Sequence, residues 1–243
     1  MPNLPRKRVT CVIVSGRDKK FCDLLKNRYG MNILIPDPLK LVQGSERYHA
    51  DMIVCHIGRD RFFVSPGSAT IGKEIVKLGG DFRISGTILA DHPLLNVCIV
   101  GKRLICDTNR AEKKIIEYFT KRGYDILHTK QRYARCSTVV IDSNSIISSD
   151  QSICRICSGA GMDVLEITPG KIHLEGYQYG FIGGCCGLID KDRLLFCGNI
   201  SEHPDYNAIK DFAQAHGVEL EFQEDSPLTD IGGILPVMEK SLS

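Results

Sequence analysis

No apolar run in this 243-residue chain approaches the length needed to cross a membrane. An excess of one charge is missing too. Lys and Arg number 31 against 29 Asp and Glu, a net charge of +2, so nothing marks a polyanionic partner. Lys113-Lys114 and Lys121-Arg122 fall on an expected helix and read as a solvated face rather than a nucleic-acid patch. There is no Walker loop, no dinucleotide fingerprint after a strand and no Gly-x-Ser-x-Gly elbow, so no cofactor is expected. The start, Arg6-Lys7-Arg8 followed by Val9 to Val14, is too short for a secretory signal, lacks a small-residue cleavage site and is needed as a strand; the cytoplasm is the expected location.

Cysteine, by contrast, is abundant. The eleven residues are odd in number, and Cys11, Cys55, Cys98, Cys106 and Cys197 fall inside expected strands, where a free thiol behaves as a small apolar group. Reduced thiols are expected rather than a disulfide framework. Cys154-Arg155-Ile156-Cys157 has metal or redox spacing, but no second ligand pair follows and the pair sits within a helix; two helix-face thiols are expected, and no metal.

The informative pattern is a glycine that ends a helix and leads, one residue on, through Asp, Asn or Glu into an apolar strand. It occurs five times, at Gly30, Gly79, Gly123, Gly161 and Gly217. Each instance ends a larger unit of strand, turn, strand, helix and strand, which predicts an internal repeat. The units span about residues 8–36, 50–86, 95–130, 136–168 and 183–223 of a single domain, 1–243. Unit one lacks its first strand, whereas the C-terminus carries a spare apolar segment, 231–237. That segment is expected to complete unit one and close a ring, leaving no exposed strand edge. In unit three, Asp107-Thr108-Asn109 is expected to cap the helix that follows.

This arrangement resembles the pentein fold, a five-bladed pseudo-symmetric α/β propeller. The resemblance covers nearly the whole chain. The fold includes guanidinium-modifying enzymes such as arginine deiminase, dimethylargininase, agmatine deiminase and amidinotransferases, and also a non-enzymatic ribosome anti-association factor. The stretch Gly180–Gly187 and the ending Asp230-Ile231-Gly232-Gly233-Ile234 are similar to a bacterial branch of that fold with no established activity.

Aligning the hairpin turns sets Cys185 level with Asn96, Ser137 and Ile53; in a ring this row lines an axial pocket or merely fills a crowded axis. His173-Leu174-Glu175-Gly176 resembles two elements of the guanidinium enzymes, a catalytic His and a carboxylate that pairs with a planar guanidinium. The resemblance also places a nucleophilic Cys just after the Gly-Gly of the last strand. Here Ile234-Leu235 follows, and no cysteine occurs after Cys197. The segments entering each unit supply Asp51 beside His49, Asp91 and His92, Arg132 and Arg135, and Asp230; the two arginines suit a carboxylate. The main expectation is a small polar ligand, guanidino or amino-acid-like, bound in an axial pocket without the C-terminal thiol chemistry. The alternative is a divergent hydrolase or amidinotransferase acting on C–N bonds of guanidino or amidine groups, using His173, Glu175, Asp230 and Cys185. Ribosome association follows only from likeness of fold.

Overall fold

The structure, a computed structural model, describes residues 2–58, 60–89 and 91–240. The first repeat contributes β1 (Val9–Ile13), α1 (Lys19–Asn27) and β2 (Asn32–Leu34). A short α2 (Ala50–Ile53) leads into β3 (Val54–Gly58), β4 (Arg61–Val64), α3 (Ala69–Lys77) and β5 (Asp81–Ile84). The third repeat is β6 (Cys98–Val100), β7 (Arg103–Cys106), α4 (Lys113–Thr120) and β8 (Asp125–His128). The fourth is β9 (Thr138–Val140), β10 (Ser145–Ser148), α5 (Gln151–Gly159) and β11 (Asp163–Glu166). The fifth is β12 (Cys186–Asp190), β13 (Arg193–Phe196), α6 (Tyr206–Ala215) and β14 (Glu219–Phe222), and β15 (Leu235–Glu239) ends the described chain.

These strands form five three-stranded sheets of one design. In units two to five a hairpin pairs the first two strands antiparallel, and the helix carries the chain back to pair the third parallel to the second. The middle strands β4, β7, β10 and β13 and the first strands β6 and β9 are buried over most or all of their length, so they read as continuous apolar runs. The third strands β5, β8, β11 and β14 are exposed or half-buried. Each helix turns one stripe inward: Ile115 and Phe119 from α4, Ile153, Cys154 and Cys157 from α5. The Cys154–Cys157 pair is thus two buried thiols on a helix face. All eleven cysteines are buried and free.

The five glycines expected to end helices have φ between +63° and +86°, and a Cβ would touch nothing at Gly30, Gly79, Gly123, Gly161 or Gly217. Backbone conformation, not crowding, selects glycine there. The cap of α4 differs from expectation. Glu112 accepts the N–H of Lys114, while Asp107 turns back on the N–H of Asn109 within the preceding loop. An aspartate bonds most easily to a backbone two residues on, and that closes a turn before the helix starts.

The C-terminus does complete the first sheet, in the order β15–β1–β2, but four residues later than the sequence suggests. Ile13 faces Leu235 and Val9 faces Glu239. Gly232 and Gly233 hold φ of +76° and +78°, which no strand accepts, so 231–234 is a loop. Its amides go elsewhere: Ile231 and Gly233 donate to the carbonyl of Gly184, and Ile234 to that of Cys186. Among the described residues no helix is long and apolar enough to cross a membrane.

Candidate functional site

The segments that enter the first strands of units two to five, and the segment that enters β15, meet in the interior. They bring His49 and Asp51, Asn96, Arg135 to Ser137, Gly183 to Cys185, and Asp230 to Gly233 into one polar cluster, all of it buried. Asn96 organises it. Its Oδ1 accepts the backbone N–H groups of Arg135 (2.9 Å) and Cys136 (3.1 Å), and its Nδ2 lies 3.1 Å from Cys136 Sγ. Cys136 in turn donates its thiol to Asp51 Oδ2 at 2.9 Å. Asp51 Oδ1 has no hydrogen-bond partner. Burial pushes the Asp51 carboxyl up to about 6, opposed by the nearby charges of His49 and Arg135.

Asp230 anchors the other side. Its Oδ2 accepts from the N–H of Phe181 (2.9 Å), its Oδ1 from that of Gly232 (3.0 Å), and His49 Nδ1 lies 3.6 Å from Oδ1. The Arg135 guanidinium donates to the carbonyls of Gly183 (3.1 Å), Thr138 (3.4 Å) and Cys186 (3.5 Å), and through Nε to Asn3 Oδ1 (3.2 Å). Gly183 and Gly184 are required by space: a Cβ on Gly184 would strike the Asp230 carboxylate, and one on Gly183 the carbonyls of Thr138 and Arg135. Cys185, level with Asn96 and Ser137 in the sequence alignment, is fully enclosed and donates to the carbonyl of Phe181 at 3.3 Å. Burial, then the charge of Asp230, push its thiol well above the ordinary range; burial with Asp51 and Asp230 does the same to Cys136. The interior row leaves little room. The cavity that Asp51 and Arg135 border holds about 20 Å³.

A pocket of about 430 Å³ opens beside this cluster. His49 and Asp230 form part of its wall, with His173, Glu175 and Thr229, and Arg17, Asp18, Lys19 and Lys20 stand around it at the start of α1. A parallel bridge sets His173 against Thr229: the His173 N–H donates to Leu228 O (2.7 Å), and its carbonyl accepts from the N–H of Asp230 (2.9 Å). Glu175 is exposed and already holds a guanidinium, with Arg17 Nη2 2.7 Å from its Oε2. No cysteine lines the pocket; Cys197 lies behind Asp18, its thiol 3.7 Å from Oδ2. A larger surface cavity, about 670 Å³, lies between β15 and the β4–α3 region; His56, Asp60 and Glu239 are among its lining residues, and no thiol is.

The remaining candidates sit apart. Asp91 and Arg132 are exposed and His92 half-exposed; Arg132 and Arg110 both donate to Asp91 O, and Arg110 lies 3.1 Å from His92 Nδ1. The sequence reading passed over Cys136. The available sign was its place between Arg135 and Ser137, both singled out for the same entering segment.

The fold matches solved structures along its length. An amidinotransferase of saxitoxin biosynthesis from Microseira wollei superposes with a TM-score of 0.59 at 9% identity, over 98% of this chain and 97% of that one. The agmatine deiminase of C. jejuni gives 0.55 at 11%, over 93% of both chains. DDAH from Pseudomonas aeruginosa, solved with citrulline, gives 0.54 at 12%, over 89% of this chain and 92% of that one. No curated protein matches by sequence. These likenesses identify the architecture as the pentein fold. Within it, the match of residues 13–235 to one family model places this chain in the family of unknown function DUF6873.

Proposed function

We propose that this protein binds a small zwitterionic ligand, a guanidino or amino-acid-like compound, in the pocket between His173, Asp230 and the start of α1. One observation carries this reading: the pocket presents both charge signs, and no thiol opens into it. Glu175 and Asp18 suit a guanidinium or ammonium, while Lys19, Lys20 and Arg17 suit a carboxylate. The ion pair of Arg17 with Glu175 is the contact a guanidino ligand would make, with the protein's own side chain in its place. The deiminase and amidinotransferases of the same fold point to the same ligand class. The two chain ends share one sheet, which supports a ring closed around the interior cluster.

The alternative, a hydrolase or amidinotransferase, draws support from a different observation. Cys136 lies near His49 and Asp230. Against it stands the burial that keeps the Cys136 and Cys185 thiols protonated, since the thiolate is the nucleophile.

A thermal-shift panel of arginine, methylarginines, agmatine, citrulline and unrelated amino acids, assayed in the same wells for ammonia and urea, separates the two. A ligand at 100 times its Kd raises stability by roughly 2.7 kcal/mol, several degrees for a chain of this size. The binding reading expects a shift without product, lost in Glu175→Gln. Product in the wells overturns it in favour of the enzyme, and no shift across the panel overturns both.

A further inference from the structure

We propose that His49, Cys136 and Asp230 bind one zinc ion, with the fourth coordination position facing the pocket. The inference goes beyond ligand binding and does not rest on it. It also departs from the expectation of no metal, which rests on the Cys154–Cys157 spacing; the three donors here lie far apart along the chain.

One donor atom from each residue lies within 4.8 Å of the other two, and all three residues are buried. In a tetrahedral zinc site, bonds of about 2.0 to 2.3 Å put neighbouring donors roughly 3.3 to 3.8 Å apart. The His49 Nδ1–Asp230 Oδ1 edge, at 3.6 Å, already falls in that range. The Cys136 edges, each within 4.8 Å, need a contraction of about an ångström. Thiolate, imidazole and carboxylate together form a donor set that suits zinc better than calcium or magnesium.

One further observation bears on the site, at Asp51. Its Oδ2 holds the Cys136 thiol, and its Oδ1 is buried without a partner, a costly state for a carboxylate. Asp51 is thus placed to take the thiol proton when Cys136 becomes a metal ligand. On binding, the Cys136 Sγ–H bond breaks, its electron pair forms the Zn–S bond and the proton passes to Asp51 Oδ2, which then donates it in a hydrogen bond to Sγ. The open position is that of a zinc ion that binds or polarises an oxygen or nitrogen ligand, because His49 and Asp230 also border the pocket.

The test uses the full chain, stripped with a chelator and titrated with Co²⁺ as a spectroscopic stand-in, then with Zn²⁺. One equivalent is expected to raise a thiolate-to-cobalt charge-transfer band in the near ultraviolet with intense d–d bands, and Zn²⁺ to displace it. The band is lost in Cys136→Ser and kept when Cys154 and Cys157 are both replaced by serine. A folded wild-type chain with no charge-transfer band overturns the proposal. So does a band that survives in Cys136→Ser or vanishes with the Cys154 and Cys157 pair. Should Cys136→Ser fail to fold, Asp230→Asn is the second variant. It replaces a charged donor with a weak neutral one and is expected to weaken Co²⁺ binding at least tenfold; unchanged affinity counts against the site. No guanidino compound is present, so the result is independent of the ligand reading.

Discussion

The thiol of Cys136 donates to Oδ2 of Asp51 at 2.9 Å, across 85 residues of sequence. It is the only hydrogen bond that the Asp51 carboxylate receives among the described contacts, because Oδ1 has none. Cys136→Ala therefore leaves a buried carboxylate with neither oxygen paired. The expected cost is about 2–3 kcal/mol in denaturant unfolding of the metal-free protein, the range for losing a bond to a charged group. Cys136→Ser restores a donor of similar size, and its cost should be under about 1 kcal/mol. Equal losses in the two variants would mean that the side chain matters through packing, not through its proton.

Thiol reactivity gives a second expectation. Every cysteine is buried. Burial raises the thiols of Cys11, Cys98 and Cys154 to about 11 and those of Cys55, Cys106, Cys157 and Cys186 to about 12. A chromogenic disulfide reagent at neutral pH should titrate none of the eleven in the folded chain and all eleven after unfolding. Fast modification of Cys136 or Cys185 in the native protein would favour the enzyme reading.

Gly232 and Gly217 separate two causes of glycine selection. Both have positive φ, +76° and +71°. Around Gly217 there is open space, whereas a Cβ on Gly232 would run into the backbone and side chain of His49. Gly217→Ala should cost about 1–2 kcal/mol, the left-handed penalty alone. Gly232→Ala should cost several kcal/mol more and disturb the Asp51 N–H to Gly232 O bond that ties α2 to this loop. Equal costs, measured by chemical denaturation, would show that His49 moves aside freely.

The same pair marks what the sequence can reveal. Helix-ending glycines such as Gly217, and stripes such as Ile115 and Phe119, are local signals, since the residues that make the element also carry the pattern. The repeat was therefore legible. Gly232-Gly233 was read inside a strand because Ile231 and Ile234 flank it with apolar side chains; the loop exists to meet His49 and Gly184, residues distant in sequence. Asp51, Asn96, Arg135 and Asp230 stood out as polar groups beside apolar runs. Cys136 did not, because next to a strand a thiol looks like any small core residue.

Arg17 and Glu175 provide a prediction in which stability and binding part company. Their side chains are 47% and 65% exposed, so solvent screens the pair and Arg17→Met should change stability by less than about 0.5 kcal/mol. Removing Arg17 frees Glu175 for a ligand guanidinium, and for agmatine, which has no carboxylate, affinity should rise. For arginine the gain is offset by loss of a cation near the carboxylate. The agmatine-to-arginine affinity ratio, measured by calorimetry, should therefore increase in Arg17→Met; an unchanged ratio would place the ligand away from Glu175.

His56 makes the fold sensitive to acid. Its ring stacks on Phe62 with centroids 4.4 Å apart, both ring nitrogens are buried, and burial lowers the imidazolium from 6.5 to about 4. The unfolded chain, with the ordinary value, takes up a proton between pH 6.5 and 4 that the folded chain refuses. Stability is thus unaffected above pH 6.5 and falls as pH drops toward 4, by about 3 kcal/mol over that window at 1.36 kcal/mol per pH unit. Asp51 titrates in the opposite sense over part of the same range, because its raised value makes the folded chain the stronger proton binder there. The whole-protein profile therefore mixes the two, and a difference isolates His56. His56→Phe keeps a ring against Phe62 and removes the proton site. Its stability relative to wild type should improve by about 3 kcal/mol between pH 7 and pH 4 in parallel urea titrations, while parallel pH profiles for the two proteins would show that His56 reaches solvent and titrates normally.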